Sequence, residues 1–208
     1  MIDYAVDTAV MNTYGRAEIA FVRGDGCWLE SESHERYLDC ASGIAVNTLG
    51  HAHPQLVAAL QDQASKLWHT SNLYRIPGQE QVAKRLASLS GLDQVFFCNS
   101  GAEATEAAVK IARRAAYEKG EQERMTILCS EGAFHGRTLG MLAATDRPLF
   151  RTGFGPMPAG FDHVPFGNLN KLRDAMGPHV AAVMVESVQG EGGAKRVPDG
   201  YLLGVRAA

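Results

Sequence analysis

Val95-Phe96-Phe97-Cys98, then Asn99-Ser100-Gly101-Ala102-Glu103, then a helical run to Tyr117, is the stretch on which the reading of this chain turns. The first four residues read as a short buried strand. Ala104, Ala108, Ile111, Ala112 and Ala115 recur at helical spacing, so a helix is expected over Ala102 to Tyr117. Between them, Ser100 with Glu103 three residues on forms a capping box. Read alone, this loop is chiefly a helix cap. Its glycine and the free amides at the positive end of the helix also make a seat for a phosphate.

The same grammar continues outward. Met125 to Cys129 is a second expected strand, His135 to Ala144 leads into another helix, and Val180 to Val185 is a third strand. Thr152 to Phe166, rich in Gly and Pro, reads as a long loop. Alternation of this kind predicts an α/β domain with a mostly parallel sheet, whose ligands collect at the carboxyl ends of the strands. Before Gly91 the text differs. A small antiparallel meander is expected from Glu18 to Asp39, with a turn at Gly24-Asp25-Gly26, followed by helices over Pro54 to Trp68 and Pro77 to Leu89. Residues 1–90 are therefore read as an N-terminal segment, and 91–208 as the first part of a larger domain. Pro198-Asp199-Gly200 looks like a helix start, and the text stops two turns later. That pattern reads as a domain interrupted at its C-terminal side.

Two further loops follow the second and third strands. Glu131-Gly132-Ala133-Phe134-His135-Gly136-Arg137-Thr138 offers a flat apolar ring and a guanidinium fork suited to carboxylate. Core packing and a solvated surface charge are the ordinary alternatives for Phe134 and Arg137. Glu186-Ser187-Val188-Gln189-Gly190-Glu191-Gly192-Gly193 begins with a carboxylate at the end of an apolar strand, which is costly to bury without a partner. Glu191 lies among three glycines on a segment able to move, or is simply a solvated carboxylate in a turn.

Composition bounds the rest. The 208 residues carry a formal net charge of −3, with 46% apolar and 21% charged residues, the balance of an ordinary globular protein without a nucleic-acid or anionic-membrane footprint. No run approaches a membrane span and the N-terminus has no leader pattern, so a cytoplasmic location is expected. Cys27, Cys40, Cys98 and Cys129 are scattered singly and read as buried free thiols. His51, His53 and His69 lack the spacing of a metal site, and no metal is expected.

Taken together, the segments resemble the class III aminotransferases of pyridoxal 5′-phosphate (PLP) fold type I, nearest the acetylornithine and succinylornithine type. The resemblance runs through Ser42-Gly43-Ile44-Ala45-Val46-Asn47, Gly50-His51-Ala52-His53-Pro54, His69-Thr70-Ser71-Asn72-Leu73-Tyr74 and the three loops above. It implies that Ser100, Gly101 and Ala102 hold the PLP phosphate, Phe134 lies against the pyridine ring and Glu186 supports the cofactor end of the pocket. It further implies that Arg137 binds the substrate α-carboxylate, that Glu191 acts as a gate, that Gly43 and Ile44 line the substrate channel, and that Asn72 and Tyr74 lie near a homodimer interface. The implied reaction moves the δ-amino group of N2-acetyl-L-ornithine to 2-oxoglutarate, giving N-acetylglutamate 5-semialdehyde and glutamate, as a step of arginine biosynthesis. N-succinylornithine, ornithine and 4-aminobutyrate are the alternative donors; Ile44, where ornithine aminotransferases have tyrosine, leans toward an N-acylated one. By the same resemblance the Schiff-base lysine and the aspartate that protonates the ring nitrogen would follow Ala208. None of Lys66, Lys84, Lys110, Lys119, Lys171 or Lys195 occupies the family's lysine position, so no catalytic residue is assigned. The 208 residues are expected to be inactive by themselves, and a non-catalytic binding module is the alternative from another class.

Overall fold

A computed structural model describes residues 9–208. The chain divides into two compact units, Met1–Val82 and Ala83–Ala208. In the first, β1 (Phe21–Asp25), β2 (Trp28–Ser31) and β3 (Arg36–Leu38) form the expected antiparallel meander, in the order β1-β2-β3. Asp25 faces Trp28 across the first turn, so Gly24 and Asp25 belong to the strand, and the reversal falls on Gly26 and Cys27. Gly26 exchanges backbone hydrogen bonds of 3.0 and 2.7 Å with His51. Gly50 is required beside this contact, because a Cβ there would lie 2.7 Å from the Gly26 carbonyl oxygen. A single left-handed turn, α1 (Ser42–Ala45), follows, then α2 (Pro54–Ala64) with Pro54 in its first turn. The apolar residues that mark α2 as amphipathic, Leu56 and Leu60, are exposed. So are Val82, Leu86 and Leu89 of α3 (Pro77–Ser90), the helix that runs from the first unit into the second.

The second unit carries α4 (Gly101–Glu118), β4 (Thr126–Ser130), α5 (Leu139–Ala144), α6 (Pro148–Arg151), β5 (Phe161–Val164), α7 (Leu169–Ala175) and β6 (Val180–Met184). A two-residue ladder of β7 (Val188–Gln189) and β8 (Lys195–Arg196) and a final helix α8 (Tyr201–Ala207) complete it. Strands β5, β4 and β6 lie side by side in that order, all parallel. Side chains alternate across this sheet as strand geometry requires. Ile127 and Cys129 of β4 and Ala182 and Met184 of β6 meet Val109 of α4 and Met141 and Ala144 of α5. Val164 of β5 and Val183 of β6 meet Leu172 of α7 and Tyr201 of α8. The sheet is thus covered by helices on both faces, the arrangement expected of parallel strands.

Three expectations are corrected. Val95 to Cys98 is not a buried strand: it has no ladder partner among the described residues and exposes Phe96 and Phe97. An apolar run becomes a strand only where another backbone offers it hydrogen bonds. The presumed loop Thr152 to Phe166 contains β5, whose polar Asp162 and His163 masked a strand that pairs with β4 throughout. The stretch His135 to Ala144 does lead into a helix, which begins at Leu139 because Thr138 caps it, its side chain accepting from the Met141 amide at 3.2 Å. Finally, all four thiols are free, but only Cys129 is buried; Cys27, Cys40 and Cys98 are exposed.

Candidate functional site

Strands β4 and β6 are parallel neighbours, so the segments that leave their carboxyl ends start from one edge of the sheet. Loop Glu131–Thr138 and loop Glu186–Gly193 meet there. The Phe134 amide donates to Glu186 Oε2 at 3.1 Å, and the fully buried Gln189 donates through Nε2 to the Glu131 carbonyl at 2.8 Å. Arg147, just after α5, donates to the Glu191 carbonyl at 2.7 Å.

The start of α4 joins them from the other side. Ser100 caps the helix, its hydroxyl accepting from the Glu103 amide at 3.2 Å, while Glu103 Oε2 accepts from the Asn99 amide. The capping box therefore reaches one residue further back than the usual pattern. Thr105 Oγ1 donates to the His135 carbonyl at 2.7 Å, and Thr138 Oγ1 donates to Glu106 Oε1 at 2.5 Å. Gly136, at φ +133, allows this approach: a Cβ on it would stand 2.9 Å from Ala102 Cβ. The first two amides of α4 belong to Gly101 and Ala102 and lie ahead of the helical ladder, and the space around Gly101 is open.

Electrostatics follow burial. Glu186 is half-buried, and loss of solvent raises its carboxyl above the ordinary value; the Phe134 amide offsets part of this, and the charge of Glu191 adds to it. Burial, with His163 nearby, pulls His135 down to about 4, so its imidazole is neutral at pH 7. His135 Nε2 has no hydrogen-bond partner. Phe134 packs edge-on against Phe150 at 6.0 Å between centroids. The Arg137 guanidinium stands 5.0 Å from the Phe150 centroid and 6.0 Å from that of Phe134.

Of the residues singled out in the sequence, Ser100, Gly101, Ala102, Phe134, Arg137, Glu186 and Glu191 belong to these three converging segments. Glu186, expected to need a partner, has one in the Phe134 backbone. Glu191 is exposed, and its carbonyl rather than its carboxylate is engaged by Arg147. Gly43 and Ile44 belong to the other unit, in the left-handed turn α1 at φ +62 and +63; Asn72 and Tyr74 also belong to that unit. There His51 Nε2 pairs with Asp39 Oδ2 at 2.7 Å. That hydrogen bond leads the causes that lower the Asp39 carboxyl, with the Ser42 amide next. All six lysines are exposed; Lys66 and Lys171 pair with Asp62 and Asp174 on their own helices.

Sequence reasoning missed Thr105, Glu106, Arg147, Phe150 and Gln189. Only Gln189 carried a signal, a lone amide in a glycine-rich turn. The others act across gaps of 30 residues or more, or stack on a ring that no local spacing marks.

The described residues are a fit for a phosphorylated aromatic cofactor. The capped start of α4 offers free amides for phosphate, the half-buried Phe134 offers a ring to stack on, and Glu186 offers a carboxylate beside it. The family model "Aminotransferase class-III" matches residues 9–208. The acetylornithine aminotransferase of Agrobacterium fabrum is 54% identical over 88% of this chain and 46% of its own length. The N-acetylornithine aminotransferase of Stenotrophomonas maltophilia is 36% identical, with a TM-score of 0.78 over 93% of this chain and 48% of that one. The ornithine aminotransferase of Toxoplasma gondii, whose structure reveals partial occupancy of PLP at its active site, is 31% identical, with a TM-score of 0.90 over 96% and 47%. The chain spans about half the length of the curated relatives it matches.

Proposed function

The chain belongs to the class-III aminotransferases, a PLP-dependent family of fold type I, and we propose that the protein transfers the δ-amino group of N2-acetyl-L-ornithine to 2-oxoglutarate. The observation that carries this reading is the convergence of the α4 start with the loops after β4 and β6 at one sheet edge. Identity of about half the residues to enzymes named for acetylornithine supports that donor over ornithine, whose Toxoplasma gondii enzyme is 31% identical.

In this reading Ser100, Gly101 and Ala102 seat the cofactor phosphate, Phe134 lies against its ring, and Glu186 fixes the Phe134 backbone while facing the cofactor end of the pocket. When bound, PLP supplies an electron sink for the carbon that carries the transferred amino group. Arg137 takes the substrate carboxylate by a two-point contact, which orients the reacting end. Glu191, on a segment bracketed by glycines, engages or releases a second substrate group as the two half-reactions alternate. Gly43 and Ile44 line the substrate channel. No exposed lysine of this chain is assigned a catalytic role, and the 208 residues by themselves are expected to be inactive. Residues 1–90 serve as the N-terminal segment and 91–208 as the first part of the PLP-binding domain. The exposed apolar faces of α2 and α3 support assembly as a homodimer. No described helix is long and apolar enough to cross a membrane, and we place the protein in the cytoplasm as an enzyme of arginine biosynthesis.

The test is a donor panel on the protein expressed from its complete reading frame, with PLP and 2-oxoglutarate, measuring glutamate. The highest kcat/KM is expected for N2-acetyl-L-ornithine among that donor, N-succinylornithine, ornithine and 4-aminobutyrate. A preference for free ornithine, or no glutamate from any donor, overturns the proposal.

A further inference from the structure

Four residues in a row, Ser42, Gly43, Ile44 and Ala45, hold left-handed backbone, with φ of +50, +62, +63 and +61. Glycine enters that region freely, whereas a β-branched residue such as Ile44 does so only against steric resistance. Packing does not offset the strain, because Ile44 is 83% exposed. Such a turn persists only where its surroundings impose it, and strain of this kind clusters at functional sites.

One carboxylate imposes it. Asp39 Oδ1 accepts from the Ala41 and Ser42 amides at 2.9 and 2.8 Å, where the chain enters the left-handed run. Asp39 Oδ2 accepts from His51 Nε2 at 2.7 Å. The Asp39 side chain is 9% exposed and that of His51 21%, so water competes little for these bonds. His51 is itself fixed by the meander. Its backbone exchanges two hydrogen bonds with Gly26, and its ring lies against Gly24, where a Cβ would stand 2.6 Å from the imidazole Cγ. The Asp39 amide donates to the Cys27 carbonyl at 2.9 Å. Through these two residues the turn is tied to the β1–β2 hairpin.

We propose that Asp39 and His51 are a positioning pair that sets donor affinity by holding α1 in its left-handed form. The proposal rests on the reading above, in which Gly43 and Ile44 line the substrate channel. The pair acts through the turn. Where the turn relaxes, it must re-form before substrate binds, so apparent affinity falls with the fraction of molecules that hold it. Once substrate is bound the reacting groups are placed as before, and turnover is unchanged.

Hydrogen exchange and steady-state kinetics on the protein expressed from its complete reading frame test this. In His51→Ala the Ala41 and Ser42 amides should exchange roughly tenfold faster while those of β4 are unaffected. KM for N2-acetyl-L-ornithine should rise roughly tenfold at nearly constant kcat. His51→Gln, which keeps an N–H donor at similar reach, should restore most of both. Gly24→Ala, whose Cβ displaces the imidazole from the β1 side, should reproduce both effects in weaker form, and it is the deciding variant if His51→Ala does not fold. A merely structural role would lower the amount of active enzyme, so a fall in kcat at unchanged KM overturns the proposal. Unchanged exchange at Ala41 and Ser42 overturns it as well. Ile44→Ala separates the two readings: an unchanged donor KM there refutes the channel assignment, whereas a changed one beside an unchanged KM in His51→Ala refutes the pair alone. Absence of glutamate formation with every donor would refute the aminotransferase reading, yet exchange at α1 would still decide whether the pair holds the turn.

Discussion

Val95-Phe96-Phe97-Cys98 and Thr126-Ile127-Leu128-Cys129 are close in composition and opposite in fate. Both are short apolar runs ending in cysteine ahead of a loop that reaches the candidate site. The second lies between β5 and β6, with hydrogen bonds on both edges and helices packed on the sheet, and Leu128 is 0% exposed. The first has neither ladder, and Phe96 is 67% exposed. Hydrophobicity nominates a strand; neighbouring backbones decide whether it exists.

The thiols give the widest separation. Cys129 is buried, and loss of solvent pushes its pKa up to about 12, with Asp162 contributing. At pH 8 only about one molecule in 10⁴ then carries the thiolate. Alkylation followed by mass spectrometry should therefore label Cys98 orders of magnitude faster than Cys129; comparable rates would mean that β4 opens as freely as the unpaired run. Truncation is the next test in size. Leu128→Ala is expected to cost about 2–5 kcal/mol in denaturant unfolding, as for other fully buried leucines, whereas Phe96→Ala should change stability by roughly 0.5 kcal/mol or less, as at an exposed site. A large penalty at Phe96 would show that the first run is covered in solution.

Ser100→Ala probes whether α4 needs the segment before it. Loss of the cap should cost about 1 kcal/mol by the same measurement. An effect near zero would place the start of the helix under other control. The smallest expected effect concerns Glu186, which leaves the end of β6 beside β4. Its raised carboxyl means the folded state holds the proton more tightly. The corresponding stability is present below the unfolded carboxyl value and is lost as pH rises through the folded one. Glu186→Gln should thus raise the melting temperature slightly at pH 8, with the gain shrinking toward pH 4. A gain that grows on acidification would reverse that assignment.

Much of the site was legible because its signals are local. Ser100 and Glu103 are three residues apart on one helical turn; Ser100 forms the hydrogen bond that spacing predicts, and Glu103 reaches one residue further back, to the Asn99 amide. The glycines around Phe134, Arg137 and Glu191 announced loops, and the apolar run ending at Glu186 announced a strand end. The braces were not legible. Thr105 meets His135, Glu106 meets Thr138 and Arg147 meets Glu191 only after the chain has folded back through parallel crossovers. β5 was hidden for a related reason: Asp162 and His163 look like loop residues until β4 supplies a ladder and the Ala144 carbonyl a partner for the His163 ring.

The sequence by itself determined the periodicities, the caps and the order of the motifs, since each depends on residues within a turn or two of one another. That was enough for the α/β alternation, the capped start of α4 and the family. Tertiary structure alone decided which apolar runs are strands, which thiols are buried and which side chains hold the loops together. Those outcomes depend on partners from distant parts of the chain, and a hydrogen bond or a stacked ring carries no mark in the text of either partner.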